Sequence, residues 1–291
     1  MNLIKTYLDE PKRPQLVLPA HACDSHVHIF GPRARFPYAP DLKVLPAEAS
    51  KEALFSLHRN MGISRCVIVQ SVTHGYDNRV VEDAIAAGAG RYLGIALVPP
   101  AVEMSELRRL ARVGFRGVRF HFMKHLHTGA SIDQVIRLTS MLAEVGMHLQ
   151  VHFESPLVHT VGPMLLKSQV PVVIDHMGRV DANLGSEHAD FQALMHLLDH
   201  RNMHVKVSGI DRIESTARVG SGYPLGSALA RMLVERFPER CVWGLDWPHP
   251  NHTHIPDDGE LIDALQNIAP NPQMLQSLLV DNPQNLYRFP N

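Results

Sequence analysis

Cys23-Asp24-Ser25-His26-Val27-His28 near the start and Val242-Trp243-Gly244-Leu245-Asp246-Trp247-Pro248 near the end are short apolar runs closing on groups that bind metals or move protons. Three more runs share that form. Gly117-Val118-Arg119-Phe120-His121-Phe122 carries Arg119 and His121, Leu149-Gln150-Val151-His152-Phe153 carries His152, and Val172-Val173-Ile174-Asp175-His176 ends on His176. Polar groups at the carboxyl ends of separate strands converge only when those strands run parallel around one centre, as a closed barrel arranges.

Working outward, Val- and Ile-rich runs alternate with segments of helical periodicity from end to end. The expected strands are 23–28, 64–70, 92–98, 117–122, 148–153, 171–176, 203–208 and 241–246. The expected helices are 50–61, 78–87, 104–113, 132–145, 156–168, 189–200 and 224–237, with Gly62, Gly88, Gly114 and Gly146 as left-handed stops. Eight strands in this alternation predict an α/β fold: one (β/α)8 TIM barrel over 1–291, distorted, with residues 1–20 as an N-terminal extension. Segments 29–49, 209–223 and 249–259 exceed minimal connections and are expected to frame the carboxyl-end face, 209–223 as a mobile flap.

A chain of 291 residues, 45% hydrophobic, can bury one large core. Its 28 Lys and Arg against 29 Asp and Glu leave no global field for nucleic acid or an anionic membrane, so any anion recognition must be local. Cys23, Cys66 and Cys241 are widely spaced in apolar runs, which fits buried thiols in a reducing cytosol. With three prolines and a charged middle, the first 20 residues lack a signal peptide's apolar stretch, and a cytoplasmic location is expected. Nothing in the sequence fixes an oligomeric state.

His26 and His28 stand two apart, so both are expected to face the barrel mouth while Val27 faces the helices. Such a pair either chelates zinc or donates two hydrogen bonds to a carbonyl oxygen. A lone buried histidine is more often a satisfied core residue. Here four strand-end imidazoles and a carboxylate recur together, and buried polar groups need partners. Asp246 is assigned the general base, with burial raising its pKa against neighbouring cations that lower it, leaving a base usable near neutrality.

This combination resembles the amidohydrolase superfamily, and within it the branch of 2-pyrone-4,6-dicarboxylate lactonases and related lactone hydrolases. The phrases carrying the resemblance are Asp24-Ser-His-Val-His-Ile-Phe-Gly-Pro32, Val67-Ile-Val-Gln-Ser71 with His74-Gly75 and Asp77-Asn78, Gly114-Phe-Arg-Gly-Val-Arg-Phe120, Ile174-Asp-His-Met-Gly-Arg179, Asp211-Arg212, Trp243-Gly-Leu-Asp-Trp-Pro-His-Pro-Asn251 and Ile255-Pro-Asp-Asp-Gly259. The resemblance implies Asp246 activating water, His26, His28 and His176 holding or polarising a lactone carbonyl, and Arg119 and Arg212 binding substrate carboxylates. Guanidinium chemistry supports the last role independently. Ser71, His121, His125, His152, His249 and Asn251 complete the expected substrate-binding set. Arg179 and Lys124 stay outside it, as residues opening loops.

Three positions depart from the branch's pattern: His152 replaces an expected fifth-strand tyrosine, His125 an arginine and Val44 a tyrosine. His152 restores the imidazole with which metal-dependent members complete their site, so His26, His28, His152, His176 and Asp246 offer a cage for a divalent ion, zinc above all. The resembled branch works without one, and the sequence leaves both states open. The expected activity is hydrolysis of a small anionic, carboxylated lactone in aromatic-compound catabolism. The alternatives are a metal-dependent decarboxylase or hydratase of the same superfamily, and a non-catalytic binding protein on the barrel scaffold.

Overall fold

The structure, a computed structural model, describes residues 3–290 except 41, 43, 124–128, 215, 217–219 and 253. Eight strands, β1 Cys23–Val27, β2 Arg65–Val69, β3 Tyr92–Leu97, β4 Phe115–Phe122, β5 His148–Phe153, β6 Val172–Ile174, β7 Met203–Lys206 and β8 Cys241–Val242, form one parallel sheet in sequence order. Hydrogen bonds from Ser25 N–H to the Trp243 carbonyl (2.8 Å) and from Asp246 N–H to the His26 carbonyl (2.7 Å) join the segment after β8 to β1 and close the barrel.

Helices α1 Lys51–Met61, α2 Arg79–Ala87, α3 Met104–Val113, α4 Ile132–Glu144, α5 Val158–Leu165, α6 Ala189–Leu198 and α7 Pro224–Arg236 surround it, and α8 Asp258–Asp263 follows the last long loop. Local chemistry starts them: Ser50 Oγ accepts the Ala53 N–H, and Ser131 with Gln134 forms a reciprocal capping box. Gly62, Gly114 and Gly146 have the expected positive φ. Gly88 does not, at φ −82°; a Cβ there would sit 2.7 Å from Tyr92, so close packing is what demands glycine. Ala89, at φ 48°, makes the left-handed turn instead.

Side chains alternate across each strand, and the two faces separate cleanly. Val118 and Phe120 of β4, Leu149, Val151 and Phe153 of β5, and Met203 and Val205 of β7 join the main core beneath the helices. A second, inner cluster gathers Cys23, Val67, Val69, Leu93, Ile95 and Val242 with Tyr287 and Phe289 from the C-terminal tail. The three cysteines are buried and unpaired, with burial pushing each thiol pKa up.

Two of the strands that fall short of their expected ends do so for one shared reason. β6 stops at Ile174 and β8 at Val242 because the chain leaves extended geometry to aim its functional groups: His176 has φ 48° and Asp246 has φ 65°. Non-glycine residues in this region are uncommon and concentrate where function requires them. β1 also breaks strict alternation. Its pairing with β2 shifts between Asp24 and Val27, which lets Cys23 face the inner cluster while His26 and His28 still reach the mouth.

Candidate active site

Asp246 is the hub. It is buried, and three imidazole nitrogens approach its Oδ1: His28 Nε2 at 3.3 Å, His26 Nε2 at 3.7 Å and His176 Nε2 at 3.9 Å. On the other side Arg212 Nε donates to Oδ2 at 2.6 Å and Nη2 lies 2.6 Å from the same oxygen, while Nη2 donates to the Pro250 carbonyl at 2.8 Å. Burial pushes the Asp246 carboxyl up, yet Arg212 and then the imidazoles outweigh it and hold the group well below the usual carboxylate range. The expected base poised near neutrality is thus corrected: Asp246 is ionised throughout the working pH range, because the guanidinium sits on it.

The rings are fixed from behind. His28 Nδ1 lies 2.7 Å from the Val69 carbonyl, which only accepts, so Nδ1 donates there and Nε2 is the nitrogen turned toward Asp246. His176 Nδ1 meets Ser208 Oγ at 2.9 Å. His26 Nδ1 stands 3.3 Å from both Asp175 Oδ1 and Lys206 Nζ. Burial, first of all, lowers the pKa of His26, and brings His176 down to about 3. These rings are neutral at physiological pH.

Beneath them lies a charge network missed at the level of sequence. Lys206 is fully buried; its ammonium donates to the Ser25 carbonyl (2.9 Å) and Gln150 Oε1 (2.8 Å) and lies 3.5 Å from Asp175 Oδ1. Asp175 Oδ2 accepts from Arg119 Nε at 2.7 Å and Gln150 Nε2 at 3.1 Å. Burial brings Lys206 down to about 8, against the pull of Asp175. The signal was present: in 203–208, His204, Lys206 and Ser208 repeat with period two between Val205 and Val207, the pattern of an inward polar row.

The other expected residues divide. Arg119 and His152 reach the pocket floor, with Arg119 Nη2 3.4 Å from His152 Nδ1; His121 packs edge-on to His152 at 5.5 Å between centroids. His249 is buried but paired with Asp258 Oδ1 at 3.0 Å, which outweighs the lowering by burial and raises its pKa; it locks the last loop onto α8. Ser71 caps a short turn, accepting the Thr73 N–H, and Asn251 is exposed on the rim. His125 and Lys124 lie outside the described residues. Arg179, left out of the expected set, is half-buried, its pKa lowered to about 10 first by burial and then by Arg212. Among the described residues it has no carboxylate partner, so its charge is available to an anion.

His26, His176 and Asp246 present ligand atoms all within 4.8 Å of one another, and His26 Nε2 is buried without a hydrogen bond. His28 Nε2, 3.3 Å from Asp246 Oδ1, brings a third imidazole nitrogen to the same point. The donor set therefore fits a divalent ion. His152 fits that role poorly: a guanidinium can only donate, so its Nδ1 accepts from Arg119 and the neutral ring's proton moves to Nε2.

The sequence profile of the amidohydrolase family matches residues 23–289. A 2-pyrone-4,6-dicarboxylate hydrolase of Comamonas testosteroni is 39% identical over 284 residues, covering 95% of this chain and 93% of that protein. A 4-sulfomuconolactone hydrolase of Hydrogenophaga intermedia is 34% identical over 278 residues, covering 94% and 90%. The crystal structure of a 2-pyrone-4,6-dicarboxylic acid hydrolase assigned in Pseudomonas putida superposes with a TM-score of 0.80 at 28% identity, over 94% of this chain and 100% of that one.

Proposed function

The chain belongs to the amidohydrolase family, and on that premise we propose that it hydrolyses a small carboxylated lactone of aromatic-compound catabolism, such as 2-pyrone-4,6-dicarboxylate or a muconolactone bearing another acidic group. The observation carrying this reading is the meeting of Asp246 Oδ1 with three imidazoles beside Arg212, in a barrel that also carries Arg119 against His152 and a half-buried Arg179.

The reaction follows from that arrangement. An anionic ring enters a mouth where Arg179, Arg212 and Arg119 bind its acidic substituents. As a substrate carboxylate takes hydrogen bonds from Arg212, the hold of that guanidinium on Asp246 weakens and the carboxylate becomes a stronger base. Asp246 Oδ1 then takes a proton from water as the water oxygen adds to the ring carbonyl. When the tetrahedral adduct collapses, the ring C–O bond breaks and Asp246 returns the proton to the leaving oxygen. The anchored rings of His26, His28 and His176 hold the carbonyl in line; Lys206 and Asp175 fix His26 from below.

A divalent ion, zinc foremost, would be held by His26, His28, His176 and Asp246. It would supply Lewis-acid polarisation of the carbonyl and stabilise the oxyanion. In this reading 1–291 acts as one catalytic unit. The first 20 residues strap the framing loops: Lys12 N–H donates to Asp257 Oδ2 at 3.1 Å and Gln15 N–H to Asp263 Oδ1 at 2.7 Å.

A panel of dicarboxylated, sulfonated and neutral lactones, assayed for ring opening and carbon dioxide with metal content measured on the same sample, tests the proposal. Acidic lactones should be consumed without gas and neutral ones spared. Gas released in step with substrate would make the enzyme a decarboxylase instead.

A further inference from the structure

Away from the pocket, three side chains from the loops after β7 and β8 turn toward one point. Asp211 is buried, and its Oδ2 lies 2.6 Å from His252 Nε2 and 3.3 Å from His254 Nε2. All three ligand atoms fall within 4.8 Å of one another. This group shares no residue with the trio His26, His176 and Asp246.

The orientation of His252 is set independently. Its Nδ1 stands 2.9 Å from the His249 carbonyl, which can only accept, so Nδ1 donates there and Nε2 is the nitrogen turned to the Asp211 carboxylate. His249 is itself anchored by Asp258, so the ring is held from behind by a rigid chain of contacts. His254 Nε2 is buried and makes no hydrogen bond. Two imidazole nitrogens and a carboxylate oxygen therefore converge on one point, where His254 Nε2 has no hydrogen-bond partner.

We propose that Asp211, His252 and His254 form a second divalent transition-metal site, which staples the loop after β7 to the loop after β8. Two imidazoles and one carboxylate select zinc-class ions over magnesium or calcium, which prefer all-oxygen sites. Zinc bonds of about 2.0–2.2 Å in a tetrahedron separate ligand atoms by about 3.3 Å. The Asp211–His254 spacing already has that value, and the Asp211–His252 contact needs to open by about 0.7 Å. The fourth position is left to solvent. Because Arg212 follows Asp211 in the chain, an ion here fixes the backbone carrying the guanidinium that grips Asp246.

Chelator-treated enzyme is titrated calorimetrically with zinc chloride in three forms: wild type, a His26→Gln/His176→Gln variant lacking the pocket trio, and that variant with His252→Gln/His254→Gln added. The pocket variant should retain one zinc site, and the added substitutions should weaken it by at least about 100-fold. Cobalt(II) in the pocket variant should give the intense visible absorption of a four-coordinate ion, lost in the combined variant. Circular dichroism checks folding; if the combined variant unfolds, Asp211→Asn in the pocket-variant background takes its place with the same readings. Failure of the pocket variant to take up zinc, or uptake indifferent to the added substitutions, would overturn the proposal.

Discussion

Below the mouth, where His26 and His28 stand, β1–β3 and β8 turn inward Cys23, Val67, Val69, Leu93, Ile95 and Val242, sealed by Tyr287 and Phe289, whereas β4, β5 and the run from β7 to 208 carry Arg119 and His121, His148, Gln150 and His152, and His204, Lys206 and Ser208. One half is an apolar wall; the other is polar through its depth. Placed side by side, they explain each other. The wall denies the charges a route to water, so Lys206, Asp175 and Arg119 must satisfy one another, and that mutual satisfaction makes their positions rigid. Rigid imidazoles above a closed charge network are what a reaction centre needs, and a uniformly apolar barrel would supply none.

The largest expected effect comes from the carboxylate that both halves face. Asp246→Asn keeps shape and burial but removes the base, and kcat should fall about 10³-fold with thermal stability retained. Turnover near the parent rate in a folded Asp246→Asn protein would remove Asp246 from the chemistry.

Making the polar half resemble the wall comes next. Lys206→Met should lower kcat/KM about 10- to 100-fold, as loss of an outer partner does to the group it orients. Lys206 carries its charge below pH about 8 and loses it above. The parent's rate should therefore decline as pH rises through that value, and the decline should be missing from the variant's pH profile. A basic limb identical in both proteins would separate Lys206 from the reaction.

The smallest effect belongs to the amino-terminal end of the polar half. His148 is buried against Tyr287, and burial, followed by Lys206, keeps its pKa at about 3 in the fold. The unfolded chain takes that proton at about 6.5, so stability is full above 6.5 and falls as pH drops toward 3, by about 1.4 kcal/mol per pH unit. His148→Phe should leave turnover unchanged at neutral pH while losing about 2 kcal/mol less stability than the parent between neutrality and pH 5, read from denaturant midpoints.

The same contrast shows what the chain discloses before it folds. Strand and helix alternation, the strand-end histidines and Asp246 were legible because they follow local periodicity, and the helices begin and end within about two residues of their expected places, except α5, which stops three residues early at Leu165. The unequal halves were less legible. Lys206 sits in an apolar run where a single cation reads as an outward residue, and only its partners across the barrel, Gln150 and Asp175, reveal the inward turn. The pairing of Arg212 with Asp246 was hidden for the same reason, since 34 residues separate them in sequence. Ser71, His249 and Asn251 also stand at strand ends, and folding adds what the sequence did not show: Ser71 caps a turn, His249 pairs with Asp258 and Asn251 is exposed.

The central claim is that water, activated at Asp246, adds to a lactone carbonyl. Turnover of 2-pyrone-4,6-dicarboxylate in water enriched in oxygen-18, with the product weighed by mass spectrometry, tests it most directly. The account predicts one labelled oxygen in the newly formed carboxylate and none in the leaving oxygen. A product without label, or with the label on the leaving oxygen, would contradict it.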